Sequence, residues 1–154
     1  MPSVSTLPHP ASATPGTVRV ASIAGTGSFQ PEGVITNADL ETLVDTSNTW
    51  ILERTGIAQR HRAGAGVTTS MMAAAAGRRA LEASGVGSVD AIIVATCTPD
   101  TFVPSTACLV QRLLGVPGIP AFDINAACSG FVYGLAIADS MVRQGVFTNL
   151  LLIG

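Results

Sequence analysis

Apolar and polar positions follow two different periods along this chain. Residues 91–96 (AIIVAT), 121–125 and 149–153 are short runs with little polar interruption, the pattern of strands buried on both faces. Residues 18–24 read as a further strand that breaks at Gly25-Thr26-Gly27. Helical spacing fills the intervals. Asn37 is placed to cap a short helix over 38–44, and Ser47 a second one running through Arg54. Gly64-Ala65-Gly66 marks a loop, after which Thr69 or Ser70 opens an Ala-rich helix that runs to about Ala83 and stops at Ser84-Gly85. Pro104-Ser105 starts a helix through Leu114 that Gly115 closes, and another helix covers 129–144. Strands alternating with helices of this length predict right-handed crossovers, a mostly parallel sheet and the α/β class.

The helix that follows Cys128 carries an additional message. Its residues, SGFVYGLAIADSMV, are apolar nearly all the way round, so it expects cover on every side. One sheet covers one flank only. At ~25 cal/mol per Å2, a second open face forgoes several kcal/mol, a large part of a domain's net stability. The sequence also stops at Leu151-Leu152-Ile153-Gly154, directly after a strand of the buried type. Both features predict that a further layer belongs on this chain, which then is the first half of a longer protein.

Composition narrows the class. Of 154 residues, 47% are apolar and 12% charged, with a formal net charge of −2. All eight positive residues are Arg. Without a basic excess or stripe, a nucleic-acid partner is not expected. Enough apolar residues are present for a core, except over residues 1–17, a Pro- and Ser-rich stretch that reads as a disordered arm ahead of a folded unit over 18–154. Mean hydropathy is high, +0.47, yet the longest uncharged apolar stretch, residues 124–138, is interrupted by Asn, Ser and Gly and is too short to span a bilayer. The first residues lack the basic and apolar regions of a secretory signal. A soluble, cytoplasmic protein with no membrane partner is the expectation. Cys97, Cys108 and Cys128 form no CxxC pair and no zinc pattern, so neither a metal site nor a disulfide framework is expected.

Cys128 is the strongest chemical candidate. In Asp123-Ile124-Asn125-Ala126-Ala127-Cys128-Ser129-Gly130-Phe131 a strand turns directly into a helix, which puts the thiol at a helix N-terminus. Free N–H groups and the positive end of the helix dipole favour a thiolate there, and the same N–H groups suit an oxyanion forming on an attacked thioester. Small neighbours leave room for substrate. Against this stands the ordinary role of Cys as a small buried apolar residue, which is the reading for Cys97 and Cys108. A thiolate usually works with a base, and neither His9, in the arm, nor His61, between Arg60 and Arg62, is a persuasive one. Trp50 and Arg54 are four residues apart and share a helix face, an arrangement that can stack a purine and hold a phosphate, or simply cover a half-buried Trp with an Arg stem. Gly25-Thr26-Gly27 lacks the third Gly of a dinucleotide fingerprint, and no Walker motif or GxSxG elbow is present.

Several segments, in order, resemble one family. These are Gly25-Thr26-Gly27-Ser28; Pro31 with Thr36-Asn37-Ala38-Asp39-Leu40-Glu41; Asp45-Thr46-Ser47 through Trp50; Glu53-Arg54-Thr55-Gly56-Ile57; and the Asp123–Phe131 segment. Together they are similar to β-ketoacyl-[acyl-carrier-protein] synthase III, over about residues 18–154. The resemblance implies a thiolase-like layered fold, here its first half, with a central pair of helices between two sheets. It implies an acyltransferase of fatty-acid initiation in which Cys128 takes an acyl group from acyl-CoA. Malonyl-carrier protein then decarboxylates and its carbanion attacks the acyl-enzyme. Carried over by position, Thr46, Trp50 and Arg54 contact the nucleotide end of coenzyme A, which is a substrate; no tightly bound cofactor is implied. The implied partners are acyl-CoA, acyl carrier protein and a second copy of the chain, whose acyl tunnel a side chain near Phe102 or Val103 would reach. The family has Phe just before the Pro corresponding to Pro104; Val103 stands there, so the starter acyl group is left open.

The family's His and Asn, which promote decarboxylation, lie in its second half and have no counterpart in these residues. The alternatives to a fatty-acid synthase half are a synthase-III-like acyltransferase of a polyketide or other secondary pathway, and a non-catalytic fragment acting through a partner chain.

Overall fold

The computed structural model describes residues 19–154; the arm expected over residues 1–17 lies outside them. Two small sheets organise the described residues. Strand β1 (Gly33–Thr36) and strand β2 (Gln59–Arg62) form an antiparallel ribbon with Val34 opposite His61, and helices α1 (Asn37–Glu41) and α2 (Asn48–Thr55) fill the connection between them. Helix α3 (Thr69–Ser84) leads into a parallel sheet built from β3 (Ala91–Ala95), β4 (Ala121–Ile124) and β5 (Leu150–Ile153), in the order β4-β3-β5. Helix α4 (Thr106–Leu114) connects β3 to β4, and α5 (Gly130–Arg143) connects β4 to β5. The α/β class and the parallel sheet are those read from the sequence.

The central strand explains the arrangement. Ala91, Ile92, Ile93 and Val94 are all buried, so helices must cover both faces. Ile92 and Val94 form a cluster with Ala73 and Ala74 of α3, Ala107 and Val110 of α4, and Leu151 and Ile153 of β5. On the opposite face α5 approaches closely enough that a Cβ on Gly134 would stand 2.5 Å from Leu152 Cδ1. The Asp123 carboxylate pins α4 to β4 by accepting hydrogen bonds from the amides of Thr106 and Ala107, each at 2.7 Å.

The structure departs from the sequence pattern in four places. No strand forms over residues 19–32. A strand exists by pairing, and this segment lies on α3 rather than along a sheet edge: a Cβ on Gly25 would come within 2.5 Å of the Ser84 amide, and Gly27 meets the backbone of Ala76 and Ala80. The two glycines therefore serve backbone packing. Helix α1 is shorter than the expected 38–44 and is capped by Thr36, which forms a capping box with Asp39, rather than by Asn37. The polar stretch around His61 is strand β2, whose QRHR sequence carries no alternating apolar signal. The helix after Cys128, expected to be covered on every side, has cover on its sheet side, where Gly130 and Gly134 are buried, while Phe131, Val132, Tyr133 and Leu135 are exposed.

Candidate functional site

Cys128 lies where β4 gives way to α5. The strand ends at Ile124, and the backbone reverses through Ala126 and Ala127 into a 3-10 turn over Ala127–Ser129 that runs on into α5. Ala127 holds φ at +45°, the one positive value at a non-glycine among the described residues. An L-residue there costs roughly 1–2 kcal/mol, and local strain of this kind concentrates at functional turns. Ser129 N–H closes the turn by donating to Ala126 O at 3.0 Å. The outcome is an exposed, free thiol at the carboxyl edge of a parallel sheet, the edge at which open α/β sheets take ligands.

The helix N-termini differ in how they are finished. Thr36, Ser47, Thr68 and Ser105 each accept a hydrogen bond from a backbone amide at the starts of α1, α2, α3 and α4. Neither Ala126 before the 3-10 turn nor Ser129 before α5 caps with its side chain. The turn uses most of its own amides: Ser129 N–H donates to Ala126 O, Gly130 N–H to Ala127 O, and Ala127 N–H to Asn125 Oδ1 at 3.5 Å, so among the described residues the Cys128 N–H is the one left for another acceptor. An oxyanion on a carbon attacked by Cys128 Sγ would be such an acceptor.

The other two thiols differ from it. Cys97 is exposed just beyond the end of β3. Cys108 lies within α4, where its sulfur accepts from Ser105 Oγ at 3.2 Å and sits 3.6 Å from Ala121 O; those contacts make it a structural thiol. His61 is exposed, and its Nδ1 donates to Pro31 O at 2.6 Å, which ties β2 to the segment before β1. His9 falls outside the described residues.

Trp50 and Arg54 share a face of α2, as their spacing predicts. The Arg54 guanidinium carbon stands 5.8 Å from the Trp50 ring centroid, and Trp50 is 55% exposed. An open aromatic face beside a guanidinium presents a stacking surface and a phosphate ligand together. Thr46 is half-buried, one residue before the Ser47 cap. Trp50 and Arg54 sit on the helix beside the antiparallel ribbon, and Cys128 sits on the parallel sheet. No hydrogen bond joins α2 to the Cys128 turn among the described residues. An open groove of about 490 Å3 follows the far half of α5, lined by Ala136, Ile137, Ser140, Met141, Gln144 and Val146, away from Cys128.

Two features escaped the sequence reading. One is the left-handed Ala127, for which an Ala gives no signal. The other is Asn37, which is 2% exposed and bonded to Asn48, Ile57 and Arg60. The Thr36-x-x-Asp39 capping box was its available signal: with Thr36 as cap, Asn37 is free for another task. The loop between β3 and α4 also projects Phe102 and Val103, 95% and 88% exposed. Its base is held by Asp100, whose carboxylate accepts from the Ser70 amide at 3.0 Å and the Ser70 hydroxyl at 2.5 Å. Burial raises the Asp100 carboxyl, and hydrogen bonds from Ser70 and the neighbouring Thr68 and Thr69 outweigh it, leaving the group below its ordinary value.

The chain is similar to known proteins in sequence and in fold. The family model for 3-oxoacyl-[acyl-carrier-protein (ACP)] synthase III matches residues 122–154, which include Cys128 and its turn. The β-ketoacyl-[acyl-carrier-protein] synthase III of Alkalilimnicola ehrlichii is 56% identical over 137 residues, covering 87% of this chain and 42% of that protein. The crystal structure of 3-oxoacyl-[acyl-carrier-protein] synthase III from Aquifex aeolicus VF5 superposes with a TM-score of 0.81 at 47% identity, over 87% of this chain and 43% of that one. The corresponding synthase III of Pseudomonas aeruginosa PAO1 gives 0.81 at 43% identity, over 87% and 41%. The chain spans about two-fifths of the length of these relatives. The resemblance read from its motifs is borne out in sequence and in fold, and the fold is part of the thiolase-like one.

Proposed function

We propose that this chain, a relative of the β-ketoacyl-[acyl-carrier-protein] synthases III in sequence and fold, carries the acyl-accepting half of such an enzyme. Cys128 is its nucleophile. The observation that carries the reading is an exposed, free thiol at the start of α5, held in a turn with a left-handed Ala127 at the carboxyl edge of the parallel sheet.

The chemistry follows from that geometry. The Cys128 thiolate attacks the thioester carbon of acyl-CoA, and the negative charge moves to the carbonyl oxygen, where the Cys128 N–H and the positive end of α5 stabilise it. Collapse of the tetrahedral species expels the coenzyme A thiolate and leaves an acyl thioester on Cys128. Thr46, Trp50 and Arg54 hold the nucleotide end of the coenzyme, Trp50 by stacking on adenine and Arg54 by pairing with phosphate. The acyl-CoA is a substrate, and no tightly bound cofactor takes part. Decarboxylation of malonyl-carrier protein and attack of its carbanion on the acyl-enzyme complete the cycle. That second step needs a His and an Asn from a further part of the synthase fold. The exposed Phe131, Val132, Tyr133 and Leu135 face of α5 supports such a part packing there, because leaving it open forgoes apolar burial. The projecting Phe102 and Val103 support contact with a second copy of the chain.

Incubation with radiolabelled acetyl-CoA tests the reading, with Cys128→Ala as control. Label bound to the protein and absent from the variant is the expected result. Label retained by Cys128→Ala removes Cys128 from the mechanism, and no label on either protein favours a non-catalytic role. Adding a segment that supplies the His and Asn is expected to yield 3-oxoacyl-carrier protein from malonyl-carrier protein.

A further inference from the structure

We infer that Asn37 is the positioning residue of the nucleotide grip: one buried amide fastens the start and the exit of α2 and thereby fixes Trp50 and Arg54. The inference rests on the reading of those two side chains as coenzyme A contacts and adds a residue that touches neither them nor the ligand.

The connections are specific. Asn37 Nδ2 donates to Asn48 Oδ1 at 2.9 Å and to Ile57 O at 2.9 Å, and Asn37 Oδ1 accepts from Arg60 Nη1 at 2.5 Å. Both donors of the amide are therefore in use. Asn48 is the first residue of α2, and Ile57 follows the left-handed Gly56 that ends it. Arg60 belongs to β2. A single side chain thus ties the helix start, the helix exit and the adjacent ribbon together. At 2% exposure an Asn is retained only where its polar atoms are satisfied, because an unpaired buried amide is costly.

The same ties decide the orientation of α2, because little else does. Ile51 is its one buried residue, and a helix resting on a single apolar anchor is free to tilt about it. Glu41 Oε1 accepts from the Asn48 amide at 2.6 Å, and Ser47 Oγ accepts from the Trp50 amide at 3.1 Å; both contacts hold the N-terminal end only. The Asn37 contact with Ile57 O restrains the other end, two residues beyond Thr55. Without it the stacking face and the guanidinium move relative to a nucleotide that must meet both.

Trp50 is the only Trp in the chain, so its fluorescence reports the site directly. Coenzyme A is titrated into the wild type and Asn37→Ala, with the thermal unfolding midpoint of each measured in parallel. The expected result is quenching in the wild type and an affinity weaker by about ten- to a hundred-fold in Asn37→Ala, at a temperature where both proteins are folded. A purely structural role lowers the midpoint but leaves the affinity of the folded protein unchanged, and that result overturns the inference while leaving the nucleotide contact standing. Absence of quenching in the wild type overturns the nucleotide contact itself, and the inference with it. If Asn37→Ala does not fold, Asn48→Ala removes one of the two ties to α2 and leaves Asn37 bonded to Ile57 and Arg60. A smaller loss of coenzyme A affinity is then expected, and wild-type affinity in that variant overturns the inference.

Discussion

Gly130, in the first turn of α5, lies directly against Ala95 at the end of β3: a Cβ on Gly130 would stand 3.2 Å from Ala95 Cβ. The contact sets how closely the helix start approaches the sheet, and hence where the Cys128 turn is held. Gly130→Ala forces the first turn outward, because Ala95 Cβ is fixed to a central strand and cannot move aside. A loss of about 1–2 kcal/mol is expected from such overpacking, together with slower alkylation of Cys128 by iodoacetamide. Chemical denaturation and a timed alkylation assay check the two effects.

Replacing Trp50 by Ala is expected to weaken coenzyme A binding by about tenfold, roughly 1.4 kcal/mol, as measured by calorimetry. Arg54→Lys keeps the charge but lacks the flat guanidinium. It therefore keeps a charge for the proposed phosphate contact and loses the stacking contact with Trp50, 5.8 Å away. An intermediate affinity between wild type and Arg54→Ala is the expected outcome.

Asp100 gives the stability a pH dependence. Its folded-state pKa lies below the ordinary 3.8, so its contribution is present at pH values above that ordinary value. The contribution disappears as pH falls through the lower folded-state value. Asp100→Ala is expected to destabilise the protein at neutral pH by roughly 1–3 kcal/mol, the cost of leaving the Ser70 donors without their charged acceptor. The gap between variant and wild type narrows in strong acid. Denaturation curves across pH read this directly, and a gap that widens on acidification contradicts the assignment.

Ala127→Gly relaxes a position held at φ +45°. Because Gly occupies the left-handed region without a Cβ clash, the variant is expected to match the wild type in stability or exceed it by up to about 1 kcal/mol, while keeping an acylatable Cys128. A thermal unfolding midpoint well below that of the wild type would show that the Ala127 methyl is needed for packing.

Much of this molecule is legible in its sequence, for identifiable reasons. The runs at 91–96 and 121–125 are apolar because β3 and β4 lie between helical layers, and Ser47, Gly85, Ser105 and Gly115 mark helix ends because their side chains or left-handed backbones finish those ends. The run expected as a strand over 18–24 misleads because apolar content marks a strand only when an edge is available to pair with it, and its described residues have none. Strand β2 hides because its Gln, Arg and His side chains carry no burial signal. Cys128 is legible from the strand-to-helix change around it, whereas the missing cap on α5 is visible only beside the four capped helices. Asn37 looks like a cap in sequence because Asn and Thr are both good ones, and only the fold reveals which of the two neighbours takes that place.

Acyl transfer to Cys128, and to no other thiol, is the step on which the proposed function stands. Its most direct test is peptide mapping by tandem mass spectrometry after brief exposure of the protein to acetyl-CoA and an acid quench that preserves thioesters. One acetyl group on the peptide that contains Cys128, with Cys97 and Cys108 unmodified, is the expected result. Acetylation at Cys97 or Cys108 with Cys128 free contradicts it.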